Sequence, residues 1–200
     1  MQDRRLIGYS LAASARAAGS AGAEIQEIGT FIIEGTTSNQ ETYLLSGQID
    51  LNGNGSNNFS VFGLFNYAQD SGYVSIAPWS GNYVASEWFA GGYVVSRFNP
   101  GDTIDADLSY REFTEIFLRD YFGFDDDYEV FLNQRGFVGF SIPGEDGGTD
   151  FACVDFQVNL RGGGFSAEIR GGVINTASGE AATCPDFANV IFADRFEEAD

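Results

Sequence analysis

The segment Asp50-Leu51-Asn52-Gly53-Asn54-Gly55-Ser56-Asn57-Asn58-Phe59 is the part of this chain best suited to hold an ion. Side-chain oxygens recur at Asp50, Asn52 and Asn54, Gly55 permits a sharp turn, and Ser56 and Asn58 add further oxygens. Calcium takes roughly six to eight oxygen ligands from such a wrapped chain, so the segment reads as a weak calcium loop. Val61 stands where an EF-hand loop carries its bidentate Glu, and Asp50 is the one formal charge. Low affinity is therefore expected. A plain Asn-Gly hairpin turn between two strands accounts for the same residues.

A second chemistry is stacking. Trp79, Tyr83 and Trp88, with Tyr93 close behind, offer flat apolar faces on which sugar rings can lie, although aromatics in a β protein also serve as core. Carboxylate chemistry is a third candidate. Glu112 and Glu115 lie three apart, but no E-x-D-x-x-E strand pattern presents two carboxyls about 5–5.5 Å apart, as a retaining glycosidase needs. Asp125-Asp126-Asp127 reads as a solvated acidic turn or a cation contact.

The missing residues narrow the field further. The chain has no His, and all ten of its basic residues are Arg. A Ser-His-Asp triad, a Cys-His pair, an imidazole metal site and a lysine Schiff base are excluded. The net charge of −19 opposes contact with phosphate backbones and anionic lipid, so no nucleic-acid partner is expected. A non-enzymatic binding or structural role is the reading that remains, with a carbohydrate-binding module and a carboxylate glycosidase as alternatives.

The first 23 residues resemble a leader for export by the general secretory route. Arg4 and Arg5 precede the apolar run Leu6–Ala13, and Ala21-Gly22-Ala23 offers a small-residue cleavage site. No apolar run approaches the roughly 18 residues that suggest a membrane-spanning helix. In an exported protein the two cysteines, Cys153 and Cys184, suggest a disulfide worth about 3–4 kcal/mol; two buried thiols are the alternative. The location expected is extracellular or cell-surface, with a glycan or cell-envelope component as partner.

From residue 24 onward, short apolar runs are cut by Gly, Asn and Asp. The candidate strands are 29–34, 42–51, 59–67, 73–77, 83–89, 93–98, 103–108, 128–132, 137–142, 151–160 and 165–174. In 151–160 the residues Ala152, Val154, Phe156 and Val158 alternate with Asp155, Gln157 and Asn159, which predicts one buried and one wet face. Ser109-Tyr110-Arg111-Glu112 has the form of a capping box, with Phe113, Ile116, Phe117 and Tyr121 at helical spacing, which predicts a short helix near 110–121. The fold class expected is all-β, an antiparallel sandwich of jelly-roll type, over residues 24–178, followed by a tail at 179–200.

Two stretches carry a family resemblance. Asp50 through Phe59 resembles the D-x-N-x-D-G-x-x-D-F segment of a group of secreted bacterial β-sandwich proteins, many with C-terminal sorting signals. Gly136-Phe137-Val138-Gly139-Phe140 resembles their later G-F-V-G-F run, and Gly144-Glu145-Asp146-Gly147-Gly148 their acidic turn. Asn54 and Asn58 replace aspartates of that pattern, and Phe151-Ala152-Cys153 stands in place of its Y-G-W. The tail at Phe192–Glu197 is similar to the F-x-D-G-F-E ending of exported proteins in some gammaproteobacteria, with Arg195 in place of Gly. The resemblance implies a sandwich and a location more than an activity.

Overall fold

Phe, Val, Ile and Thr dominate the runs that pair, and Gly, Asn and Asp supply the turns between them. The computed structural model describes residues 25–37, 42–89, 92–112, 114–118, 131–161 and 164–186. The leader-like residues 1–23, the 125–127 acidic run, most of candidate strand 128–132 and the tail motif at 192–197 lie outside the described residues. Those described form strands β1 (Ile25–Ile28), β2 (Phe31–Glu34), β3 (Thr36–Thr37), β4 (Thr42–Ile49) and β5 (Phe59–Asn66). There follow β6 (Ser71–Pro78), β7 (Tyr83–Phe89), β8 (Gly92–Val95), β9 (Thr103–Ile104) and β10 (Tyr110–Arg111). The last are β11 (Thr114–Leu118), β12 (Gly136–Pro143), β13 (Thr149–Arg161), β14 (Gly164–Asn175) and β15 (Ala182–Thr183).

The hydrogen-bonded order is β1-β14-β13-β12-β7-β8-β11-β6-β5-β4-β3, with β2 also beside β14 and β10 beside β7. Pairing is antiparallel except between β8 and β11. This sheet folds into two layers because two segments belong to both. In β7, Tyr83 and Val84 pair with β12, whereas Ser86 to Phe89 pair with β8. In the run Phe31–Thr37, β2 pairs with β14 and β3 pairs with β4. The layers meet face to face, with Phe59 against Phe140 at 4.3 Å between ring centroids and Phe65 against Phe165 at 6.2 Å. Between them lies the main core, which includes Val61, Ile76, Val138, Val154, Phe156 and Ile169. The architecture is an antiparallel sandwich.

A second, smaller core lies on the outer face of the β12–β13–β14 layer. Ile104, Phe137, Phe151, Cys153, Ala182 and Cys184 are buried there, with Phe98, Leu108, Tyr110 and Val173 against them. The cover is a two-stranded ribbon of β9 and β15, and the Cys153–Cys184 disulfide ties it to β13 across 31 residues with 5.2 Å between α-carbons.

Two expectations are corrected. The segment near 110–121 is strand where it is described. β11 pairs residue by residue with β6 from Thr114↔Ile76 to Leu118↔Gly72, and Ser109 gives its carbonyl to the Ser86 N–H instead of starting a helix. Thr-Glu-Ile-Phe-Leu suits a strand as well as a helix, and a vacant sheet neighbour decides between them. The face of β13 expected to be wet is covered: Asp155 is 0% and Gln157 6% exposed. A carboxylate placed there requires a partner. Asp155 is ion-paired with Arg135, and Gln157 accepts a hydrogen bond from Arg170 at 3.1 Å. Beside Asp155 the register slips, and Gly171, at a φ of 132°, accommodates the resulting bulge.

The crossing from β2 to β3 depends on Gly35. Its N–H donates to the Phe165 carbonyl at 2.6 Å, and a β-carbon on Gly35 would sit 2.6 Å from that same oxygen. Gly35→Ala is expected to cost about 1–3 kcal/mol, because one layer must shift away from the other; urea denaturation measures it. Reduction of the disulfide, or Cys184→Ser, is expected to cost about 3–4 kcal/mol. Hydrogen exchange should then rise first at Ile104 and Ala182, while Val154 stays protected.

Candidate ligand-binding and ion-binding sites

The Asp50 loop joins β4 to β5, and its oxygens are turned onto its own backbone. The Asp50 carboxylate accepts the Gly53 N–H at 2.9 Å and the Gly55 N–H at 2.7 Å. Asn52 Oδ1 accepts from the Asn54 N–H at 3.4 Å, and Asn54 Oδ1 from the Ser56 N–H at 2.8 Å. Asn58 is buried, accepts the Leu51 N–H at 2.8 Å and donates to Asn82 Oδ1 at 3.3 Å. Gly53 and Gly55 take positive φ values of 67° and 86°, as the turn requires. A cation would compete with these amides for the same oxygens, and Asp50 alone brings charge. The donor set is a poor fit to calcium as it stands. Among the described residues no three His, Cys, Asp or Glu side chains converge as a metal site.

The three aromatics named from sequence do not come together. Trp79 sits in the β6–β7 turn, half exposed, with its Nε1–H donating to Ser60 Oγ at 3.0 Å. Tyr83 is half-buried at the start of β7, and Trp88 lies five residues further along it, roughly 16 Å away at strand rise. What does assemble is Trp88 with Tyr93 directly opposite on β8, their rings edge-to-face at 5.0 Å. Arg111 of β10 joins them. Its guanidinium carbon is 4.0 Å from the Tyr93 ring centroid, and its Nη2 donates to the Tyr93 hydroxyl at 2.6 Å.

The pairing register explains this cluster. Val84, Ser86 and Trp88 share one face of β7, and Val95 and Tyr93 share the matching face of β8. Val84 and Val95 are in the main core, so Trp88 and Tyr93 continue the core-facing row beyond the point where the opposite layer covers it. Trp88 is 63% exposed and Tyr93 36%. Arg111 carried no signal in the sequence, because β10 is two residues long and reaches β7 from a distant part of the chain. Next to it, Tyr110 packs 6.1 Å from the Phe151 ring and donates to the Asp105 carbonyl at 2.8 Å. Burial, and then the Asp105 carboxylate, push its phenol well above the ordinary tyrosine range.

Asp50→Ala is expected to lower stability by about 1 kcal/mol, since two amides lose their acceptor. The turn-holding role makes that loss the same in calcium and in EGTA. A loss that appears only in calcium, read by thermal melts in both buffers, would show instead that Asp50 ligates the ion. Scans against protein-family models, curated proteins and solved structures found no match to this chain.

Proposed function

We propose that this protein is an exported, non-catalytic β-sandwich that binds a glycan or other cell-envelope component through Trp88, Tyr93 and Arg111. The observation that carries the reading is the Trp88–Tyr93 pair, a large aromatic surface left open on an otherwise core-facing row. Sugar rings bury their apolar C–H faces on such rings, and an adjacent guanidinium supplies donors for ring hydroxyls or a uronic carboxylate. Arg111 keeps donors beyond those it gives to Tyr93 and the Tyr110 carbonyl. On a chain of net charge −19, a cation placed at this point selects a ligand with acceptor oxygens.

The disulfide supports export, because such bonds persist in oxidising compartments. The leader-like residues 1–23 support the same route. The Asp50 loop acts here as a hairpin that fixes the β4–β5 register.

Binding to a glycan array that includes acidic polysaccharides tests the reading. Trp88→Ala is expected to weaken the best hit at least tenfold, about 1.4 kcal/mol. Arg111→Ala should act preferentially on uronic-acid ligands, and Trp79→Ala should leave affinity unchanged. Binding indifferent to Trp88→Ala would overturn the proposal.

A further inference from the structure

The hairpin that joins β4 to β5 contains both of the chain's Asn-Gly steps, Asn52-Gly53 and Asn54-Gly55. Asn is a thermally labile residue, most of all before Gly. A following residue without a β-carbon leaves its backbone nitrogen unshielded from the Asn side-chain carbon. The reaction needs that nitrogen to lose its proton and attack the carbon one side chain back. Both nitrogens that could attack are engaged here, and by the same group. The Gly53 N–H donates to one oxygen of the Asp50 carboxylate at 2.9 Å, and the Gly55 N–H to the other at 2.7 Å. A proton shared with a carboxylate is hard to remove, because the nitrogen anion would form beside a negative charge.

The two steps differ in what else restrains them. Asn52 is half-buried, and its carbonyl accepts a hydrogen bond from Gln26 Nε2 of β1 at 3.4 Å. Asn54 and Gly55 are exposed, and the point where a β-carbon of Gly55 would stand has no atom within 4 Å. Asn54 Oδ1 accepts the Ser56 N–H at 2.8 Å, which folds the side-chain amide back across the Gly55 peptide and polarises its carbonyl. The electrophile is thus seated at Asn54, and the bond from Gly55 to Asp50 is the restraint on the nucleophile.

We infer that Asn54 is a self-modification site, an asparagine that deamidates through its own backbone, and that Asp50 holds the reaction back. When the Gly55 N–H leaves Asp50 and gives its proton to hydroxide, the nitrogen forms a bond to Asn54 Cγ. The Cγ–Nδ2 bond breaks, and the amide nitrogen leaves as ammonia after taking a proton from water. Water then opens the cyclic imide at either carbonyl, leaving aspartate or a β-linked isoaspartate at position 54. Either product adds a negative charge to the turn that holds Asp50. The isoaspartate also lengthens the main chain inside the turn that sets Gln48 opposite Ser60 and Ile49 opposite Phe59. The modification therefore acts on the β4–β5 register and involves no residue of the Trp88 patch.

The test is incubation of the full chain in warm, mildly alkaline buffer. Peptide mapping by mass spectrometry reads the amide-to-acid mass gain at each Asn, and an isoaspartyl methylation assay is run on the same samples. In the parent, conversion is expected to be slow and to start at Asn54. A bond to a charged acceptor biases a local equilibrium by roughly tenfold, so Asp50→Ala is expected to convert Asn54 roughly tenfold faster. Asp50→Asn, which keeps an acceptor without the charge, should also exceed the parent. Gly35→Ala, which destabilises the sandwich elsewhere, should match the parent. Asp50 variants that convert no faster than the parent, conversion that begins at another Asn, or equal acceleration in Gly35→Ala would each overturn the inference; the last would assign the reaction to general unfolding.

Discussion

Strand β12 and most of β13 are buried on both of their faces, and most of the molecule follows from that. Toward the opposite layer they present Val138, Phe140, Val154 and Phe156; on the other side they present Phe137, Phe151 and Cys153. An antiparallel sheet ordinarily keeps one face in water. Covering the second face removes apolar area from solvent at roughly 25 cal/mol per Å², and it also strands whatever polar groups the strands carry there. Asp155 and Gln157 are those groups. Their pairing with Arg135 and Arg170 is the condition under which the second core can exist, and removing either arginine would leave a buried group unanswered.

Much of this was legible in the chain. The runs expected at 42–51, 59–67, 83–89, 151–160 and 165–174 were legible because short apolar stretches are cut there by turn residues, and the observed strands fall within a few residues of those bounds. The disulfide was legible from cysteine count. Three things were not. The Tyr110–Leu118 strands were hidden because Thr-Glu-Ile-Phe-Leu suits a helix as well as a strand, and the choice rests on β6 and β7, remote in sequence. The covered face of β13 was hidden because its alternation is the ordinary half-wet pattern, and nothing local reveals that β9 and β15 will lie across it. The short β1 was hidden because four residues carry too little pattern to register.

The binding residues show the same division. Trp88 was visible as a residue type, but the cluster it forms with Tyr93, and through Tyr93 with Arg111, depends on the β7–β8 and β7–β10 pairings, where Arg111 stands opposite Val84. Trp79 and Trp88 looked equivalent in a list of aromatics, yet Trp79 sits in the turn before β7 and Trp88 near that strand's far end. The Asp50 segment drew attention through its motif, whereas its oxygens close a hairpin. Chemistry assembled across strands is invisible to spacing along one of them.

The ribbon over the second core shows how a weak element can hold a place in such a fold. β9 and β15 pair over only two residues each, too few to persist as an isolated hairpin. Three attachments compensate. Ile104 is fully buried beneath the ribbon, the Cys184 N–H and carbonyl bond to the Asp102 carbonyl and the Gly101 N–H at 2.8 and 2.9 Å, and the disulfide fixes Cys184 to β13. The covalent link matters most because Cys153 lies directly between Gly139 and Val173 in the sheet, at the centre of the surface to be covered. It lets a segment with little apolar area of its own remain over Phe137 and Phe151. A chain that has no lysine and few cations to spare for surface networks thereby gains, from one oxidised pair, a rigidity that its backbone pairing there does not provide.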